Sequence, residues 1–456
     1  MARSSDRAEE DLQAVRAELQ TDNFDDGKIG KRLANLKAVA RDPSNASCVY
    51  CKTGLNVLAE VAFGSKNDRR PLASLEAARI IANALLLRDQ MQQVFAELDY
   101  TDRVVDFYSQ GSVDHEFVGG RILFLLTYRS KVDFVALIES HQLLDHVRTQ
   151  LIKHASSISS NLFESSQMNA MALTETTKLL YNLTSKYPGQ MHFLSKTVDS
   201  LIDIVSTITL PPSPLDPPVA QLLNDLAIIE WPTSMDEGRE NVMLGLARRF
   251  VELLDRSTSS LRPAQLETML IALITATRKL NELAYVEVKQ LLRLSLLPLD
   301  EERDKPLGHS QSLASRLLRL QTSGGLIILP EAISGLLFDL SERDARVFVH
   351  NIGYGHASGY LMTHKIPIPQ DLKTTANRSN SRNDEFEINP VTGQRLDAET
   401  PVVMPEMTDA EKEKEAERLF VLFERLKATG VMDVEHPLRV AQQSGRFEEL
   451  SDSEPD

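Results

Sequence analysis

The chain has 456 residues, of which 42% are hydrophobic and 6% aromatic. Domains typically contain about 100–200 residues, so this length excludes one ordinary compact core and predicts several domains or one elongated repeat array. The formal net charge of −15 argues against a broad nucleic-acid-binding surface, although it leaves room for a local basic groove.

The cysteine content and the apolar runs indicate the compartment. The two cysteines form the single pair Cys48-Val-Tyr-Cys51, which we interpret as ordinary reduced thiols because no second pair or histidine cluster accompanies them. The sequence MARSSDRAEEDLQ has no apolar core, and no apolar run reaches about 18 residues. We therefore expect a cytoplasmic protein with no signal peptide and no membrane insertion.

Three strongly apolar segments resemble one another. LEAARIIANALLL, VGGRILFLLTYRS and TETTKLLYNLTS place apolar residues at the i, i+3, i+4, i+7 spacing of helices. Near their ends stand Asn83, Thr127 and Asn182, in steps of 44 and 55 residues (83 to 127 and 127 to 182). The first step matches the roughly 40–47-residue armadillo/HEAT period, and the second contains the polar insert 155–161. The sequence therefore predicts an all-α solenoid with a long concave wall.

The remaining organisation follows from loops and composition. Proline-rich residues 211–218 and polar residues 301–312 predict connections between helices. A capping box at Thr408 and Glu411 opens an amphipathic helix, which we expect to cap the last repeat or to dock on a partner. Its apolar stripe consists of Ala416, Leu419, Phe420, Phe423 and Leu426. The predicted units are a solenoid at 1–370, a polar strap at 371–407, this helix at 408–430 and an acidic tail at 431–456.

Catalytic motifs are absent from the sequence. There is no nucleotide-binding P-loop, no HExxH and no G-x-S-x-G. The glycines between Gly353 and Gly359 imitate a phosphate-binding loop, but their spacing favours a tight turn between two helices. The acidic and imidazole groups of residues 114–116 have no nucleophile or metal ligand beside them in the sequence. These features predict a binding protein, without enzyme chemistry, cofactor or metal.

Four segments resemble successive landmarks of the synembryn family, the cytosolic exchange factors and chaperones of heterotrimeric G-protein α subunits. They are GRILFLLTYR, ETTKLLYNLTSKYP, LLFDLSERDARVFVHNIGYGHASGYLM and INPVTGQRLDAETPVVMPEMTDAEKEKEAERLFVLFERL. The resemblance runs from about residue 30 to the end, and IGYGHASGYL and NPVTG are its more specific parts.

The resemblance implies a fold, a partner and an activity. The fold is a right-handed armadillo/HEAT superhelix, expected to be a monomer. The partner is a GDP-bound or newly made α subunit, held by its C-terminal helix in the concave groove. The family promotes GDP release and stabilises the nucleotide-free state without covalent chemistry. Membrane association, at the cell cortex or plasma membrane, would come through the lipidated partner.

The resemblance also implies groove residues. The C-terminus of an α subunit bears a carboxylate, so Lys, Arg and Asn donors are expected to face it. Lys37 and Arg41, four residues apart, match a basic pair of the family, with Lys37 replacing the more usual Arg. Each of these residues is otherwise typical of a solvated helix face or a helix cap. The candidate groove residues are Lys37, Arg41, Asn83, Arg121, Lys178, Asn182, Arg316 and Arg319.

The acidic tail carries candidate phosphorylation sites. Ser451 and Ser453 each have an acidic residue three positions on, Glu454 and Asp456, which is the pattern that casein kinase II favours. The family is similar in having acidic phosphorylation sites after the amphipathic helix. Each phosphate adds about −1.5 to −2 charge, which would favour docking on a basic patch of the solenoid. The alternative is a constitutively solvated tail.

A second reading of the whole chain is an armadillo adaptor for another peptide client, without exchange activity. Nuclear-import-like carriers use a ladder of Trp-Asn pairs, whereas this sequence has one tryptophan, Trp231, followed by Pro232. Direct lipid binding would need a basic amphipathic face, and the sequence contains none.

Overall fold

A computed structural model describes residues 2–367, with gaps at 22–23, 66–68, 130, 161–165, 194 and 233–237, together with 388–399 and scattered positions at 408–418. Within these residues the protein forms 19 α-helices, short 3-10 turns and no β-strand. None of the described helices is both long and apolar enough to cross a bilayer. The all-α prediction is confirmed.

The chain divides into two compact units, Met1–Ala398 and Glu399–Asp456. In the second unit, the Lys412 amide donates to the Thr408 carbonyl oxygen at 3.0 Å, at the start of the predicted 408–430 helix. The apolar stripe of that helix, the acidic tail, Ser451 and Ser453 lie outside the described residues.

Seven helices of the first unit form one layer. Each packs against the next helix of this layer along the chain, so that the layer grows in sequence order. They are α2 (Asp26–Val39), α4 (Pro71–Leu87), α7 (Val113–Leu126), α10 (Gln167–Lys186), α12 (Val219–Ile228), α14 (Pro263–Leu283) and α17 (Leu329–Leu340).

A second layer packs against the first, and most of its helices contact the next helix of this layer along the chain, while α3 contacts both α5 and α6. They are α1 (Ala2–Leu19), α3 (Lys52–Phe63), α5 (Asp89–Ala96), α6 (Thr101–Ser109), α9 (Leu143–Ser159), α11 (Ser195–Thr207), α13 (Glu240–Ser260), α15 (Val286–Leu296) and α16 (Leu313–Gln321). Short helix α8 (Phe134–Glu139) packs on α9, and α18 (Ala345–Ile352) and α19 (Tyr354–Thr363) pack on α17.

Local sequence explains where these helices begin and how closely they pack. Asp25 caps α2 by accepting a hydrogen bond from the Lys28 amide at 2.9 Å, and α4 begins with Pro71, whose missing N–H costs nothing at a first position. A Cβ at Gly119 would lie 2.9 Å from the Tyr108 Cβ, so glycine there allows α6 and α7 to touch.

The repeat predicted from the sequence corresponds to the first layer. Asn83 lies in α4, Thr127 is the C-cap of α7 and Asn182 lies in α10, so the three positions occupy successive helices of that layer. One continuous hydrophobic core runs between the layers from Ala8 to Leu361. This arrangement confirms an all-α solenoid.

The array ends at a turn at Gly353, and residues 388–398 bind next to this turn. Gly353 joins α18 to α19 at a φ of 77°, as the tight-turn interpretation predicts. The Tyr354 amide donates to the Pro390 carbonyl at 2.7 Å, and the Gly355 amide donates to the Val391 carbonyl at 3.0 Å. Residues 388–398, part of the predicted strap, are therefore bound to the start of α19.

The side chain of Arg303 also binds residues 388–398, through hydrogen bonds to backbone carbonyls. The residue is only 2% exposed. One terminal nitrogen donates to the Gly393 carbonyl at 3.0 Å, and the other donates to the carbonyls of His350 and Asn351 at 3.1 and 3.3 Å. A single buried guanidinium thus joins the segment to the end of α18.

Replacing Arg303 with Ala should release residues 388–398. The carbonyl of Gly393 and the carbonyls of His350 and Asn351 at the end of α18 lose a charged donor. We expect this loss to lower the free energy of unfolding by about 2–4 kcal/mol. Hydrogen exchange should accelerate at the amides of Tyr354 and Gly355, whose acceptors lie in the segment. Exposed Arg248→Ala is the matched control. Unchanged exchange at both amides in Arg303→Ala would contradict this role.

Asp225 is a buried acid in α12, where the helix packs between α10 and α14. It is fully buried, and neither carboxylate oxygen has a hydrogen-bond partner within the described part of the chain. Burial raises the pKa of this carboxyl group well above its ordinary value. The folded protein therefore keeps the proton at pH values where the unfolded chain has lost it.

Asp225→Asn should stabilise the protein by roughly 1–3 kcal/mol at pH 8, well above the ordinary value of 3.8, because the variant has no carboxyl group whose pKa differs between the folded and unfolded states. In the parent, the free energy of unfolding falls as pH rises above the ordinary value of 3.8. The advantage of the variant should therefore shrink as pH is lowered toward 4. Denaturant melts across this range measure it, with exposed Asp216→Asn as control. A pH-independent difference would contradict the account.

Candidate functional site

Polar side chains on neighbouring helices of the first layer meet in ion pairs. The Lys37 ammonium on α2 lies 2.5 Å from Glu76 Oε2 on α4, and Arg79 lies 2.5 Å from Glu76 Oε1. Arg79 also pairs with Asp114 on α7. Burial would raise the pKa of Glu76, but the hydrogen bonds from Lys37 and Arg79 outweigh it and lower that pKa. One carboxylate thus links α2 to α4.

A second carboxylate repeats this arrangement between α7 and α10. Arg121 Nη2 lies 2.9 Å and Lys178 Nζ lies 3.1 Å from the same oxygen of Glu175. The Glu175 side chain is only 4% exposed, whereas those of Arg121 and Lys178 are 23% and 34% exposed. Two cations share one anion, so this cluster keeps a net positive charge that solvent can reach.

Two further polar contacts lie on the same helices. Asn182 Nδ2 donates to Thr127 Oγ1 at 2.8 Å, and the Lys186 ammonium donates to the Thr127 carbonyl at 2.6 Å. Two of the residues that mark the repeat in the sequence are therefore in direct contact. Asn182 and Thr127 are themselves buried, at 7% and 4% exposure, so this hydrogen bond lies between the helices and not at their surface. We call the sides of α2, α4, α7 and α10 that carry the ion-paired cations the polar face.

Aromatic rings accompany the cations of the polar face. Tyr128, just beyond the C-cap of α7, exposes 53% of its surface, and Tyr181 on α10 exposes 39%. Sequence reasoning missed the rings, although those of α7 share the helical spacing of Arg121. The cation–ring pairs are Arg121 with Phe117 at 4.3 Å, Lys178 with Phe124 at 5.8 Å and Lys186 with Tyr128 at 4.3 Å.

Two of the predicted groove residues, Arg41 and Asn83, take no part in these ion pairs. Helix α2 ends at Val39, so the expectation that Arg41 shares a helical face with Lys37 is wrong, and Arg41 lies in the turn beyond. Its side chain is exposed and has no ion pair with any described residue. Asn83 is half-buried in α4.

Arg316 and Arg319 are not brought to the polar face. Both lie on α16 of the second layer. Arg316 pairs with Asp255 and donates to Thr258 Oγ1 at 3.0 Å, while Arg319 donates to the Gly308 carbonyl at 2.6 Å. These arginines hold α13 and the loop before α16, and their role in partner binding stays a prediction.

The acidic and imidazole groups of residues 114–116 point in different directions. Asp114 pairs with Arg79, whereas Glu116 turns inward to His154 at 2.8 Å and to Thr176 at 2.6 Å. The ring of His115 lies 4.5 Å from that of Phe107. No cluster of three or more metal-binding side chains occurs among the described residues.

Removing the shared carboxylate should destabilise the layer. Glu175→Ala leaves Arg121 and Lys178 without their common counterion, so we expect the free energy of unfolding to fall by about 1–3 kcal/mol in denaturant melts. Glu252 is a matched control because it also bridges two arginines but is 45% exposed. Glu252→Ala should cost about 0–1 kcal/mol. Equal losses at the two positions would show that burial of Glu175 does not matter.

The fold and the polar face together define a class of protein. An all-α solenoid whose layer presents ion-paired cations and aromatic rings is typical of helical-repeat proteins that bind helical or extended protein segments. Residues 32–446 match the profile of the guanine nucleotide exchange factor synembryn family. The chain therefore belongs to the synembryn family, and the resemblance seen in the sequence is confirmed.

Curated relatives carry matching names. A synembryn-like chaperone of Schizosaccharomyces pombe is 28% identical over 321 residues, covering 66% of this chain and 60% of that protein. Chaperone Ric-8A of Xenopus tropicalis is 28% identical over 198 residues, covering 41% and 34% respectively. Chaperone Ric-8A of Danio rerio is 29% identical over 176 residues, covering 36% and 31%. The chain thus matches at most about 60% of the length of these relatives.

Proposed function

We propose that this chain binds heterotrimeric G-protein α subunits through their C-terminal helix, promotes GDP release and holds the nucleotide-free or newly made partner. The observation that carries the proposal is the family match over residues 32–446. The chaperone names of the relatives support the folding role.

The polar face has the chemistry that such a helix requires. A polypeptide that ends in a carboxylate needs cationic and amide donors, and the cluster of Arg121 and Lys178 retains one positive charge beyond Glu175. Exposed Tyr128, whose ring lies 4.3 Å from the Lys186 ammonium, offers apolar surface to the hydrophobic side of a helix. Because Glu76 and Glu175 hold the cations in place, little side-chain entropy is lost on binding.

GDP release then follows from thermodynamic linkage. A protein that binds the empty α subunit more tightly than the GDP-bound one must weaken GDP binding by the same coupling free energy. Capturing the last helix of the α subunit would supply that coupling. In this mechanism the residues of this chain bind and hold a conformation, and no bond is made or broken.

The proposal is tested by GDP release from purified α subunits and by binding of a labelled peptide with the sequence of their C-terminal helix. Lys37→Glu with Arg41→Glu should weaken peptide binding about tenfold or more, because repulsion replaces attraction for a carboxylate. Helical content should not change. The matched control reverses Lys28 and Lys31, two exposed lysines of α2.

The outcomes separate the alternatives. Accelerated GDP release, with a complex that GTP dissolves, supports the exchange function. Peptide binding without faster release would overturn exchange while keeping the G-protein partner. Neither effect, across several classes of α subunits, would leave an adaptor for another client.

We further propose phosphorylation of Ser451 and Ser453 by an acid-directed kinase of the casein kinase II type. The acidic residues that follow each serine in the sequence support this assignment. We also propose that the protein works in the cytoplasm and reaches the cell cortex or plasma membrane through its lipidated partner.

A further inference from the structure

A cavity of about 750 Å³ lies between α14, α15 and α17. Its volume is in the range of ordinary ligand sites. One face of α15 lines it through Val286, Lys289 and Arg293, and the last turns of α14 line it through Arg278 and Asn281. None of these five residues belongs to the polar face of α2 to α10.

The carboxylates that line this cavity are already engaged. Asp339 accepts from Arg278 Nε at 2.6 Å and from Arg343 Nε at 2.7 Å, and its side chain is 7% exposed. Glu342 pairs with Arg293 at 2.9 Å, and Glu282 lies 4.0 Å from Arg343. Two of the three carboxylates are thus held within 3 Å by arginines, and only Glu282, with its longer ion pair, is left for a cationic ligand.

Hydrogen-bond donors, in contrast, are left over. Asn281 is 8% exposed, and its side-chain amide has no hydrogen bond to any described residue. Lys289 is half-buried and likewise has no partner within the described part of the chain. Arg293 Nε is buried without an acceptor. The buried Arg293 Nε without an acceptor costs free energy that a ligand with acceptor groups would recover, and Asn281 and Lys289 offer that ligand further donors.

The guanidinium of Arg278 is held in a position to contribute. Its terminal nitrogens lie 3.0 and 3.4 Å from where a Cβ of Gly335 would stand, so the absence of a side chain at that position of α17 leaves room for them. Only the Nε of Arg278 is used by Asp339. Its two terminal nitrogens are therefore further hydrogen-bond donors in the cavity, in addition to those of Asn281 and Lys289.

We propose that this cavity binds an acidic segment of a protein partner, whose carboxylates accept from Lys289, Asn281 and Arg278. Val286, 75% exposed at the rim, offers an apolar contact that a peptide can use and a small inorganic anion cannot. This site is independent of the one proposed for the α-subunit helix, since it is built by other helices.

The test uses fluorescence anisotropy of the full chain with a fluorescein-labelled hexaglutamate peptide. Binding should weaken as salt concentration rises. Lys289→Glu should weaken it about tenfold or more, since a like charge replaces the free ammonium. Asn281→Leu should also weaken it, through loss of the amide donor, and a melting curve shows whether this variant folds.

Two controls keep the result specific. Lys31→Glu makes the same charge change at an exposed position outside the cavity and should leave affinity unchanged. Reversal of Lys37 and Arg41 should also leave it unchanged, which separates this site from the polar face.

Three results would overturn the proposal. One is loss of peptide binding on reversal of Lys37 and Arg41 but not with Lys289→Glu. Another is the absence of saturable binding at low salt. The third is binding of pyrophosphate to the cavity without any peptide binding, which would assign the cavity to small anions.

Discussion

The apolar side of each helix in the first layer is buried only when the next helix of the layer and a helix of the second layer pack against it. The core is therefore continuous from Ala8 to Leu361, and each part of it is formed by more than two helices. This requirement fixes the spacing of neighbouring helices, and with it the spacing of the polar groups on their outer sides. The polar face is thus a consequence of how the core is buried.

On that face, a recurring device joins one helix to the next. Glu76 and Glu175 have little exposed surface, and each forms ion pairs with two cations. One cation of each pair comes from the preceding helix of the layer. The cations are held in fixed positions while part of their charge stays accessible to solvent. A surface of this kind suits a partner that presents a carboxylate beside apolar side chains, as the proposed function requires.

The end of the array shows how two distant segments of the sequence depend on each other. IGYGHASGYL supplies the turn at Gly353 and the amides of Tyr354 and Gly355, and NPVTG supplies the carbonyl groups that accept from them. Both glycines of the turn lie within 3.2 Å, measured from an ideal Cβ, of the partner backbone. A side chain on either glycine would crowd this contact, so the two segments depend on each other although about 35 positions separate them in the chain.

The sequence by itself determined the helices and the turn at Gly353, because helical periodicity and the freedom of glycine to adopt a positive φ are local properties. The repeat marked by Asn83, Thr127 and Asn182 followed from comparing those helices along the chain. The tertiary structure decided which residues face each other. Contacts between distant segments pair Lys37 with Glu76 and Arg121 with Glu175, and they place aromatic rings beside the cations. Such contacts also place Arg316 in the second layer. Helical periodicity states which side of a helix is polar, but it does not state which helix lies beside it.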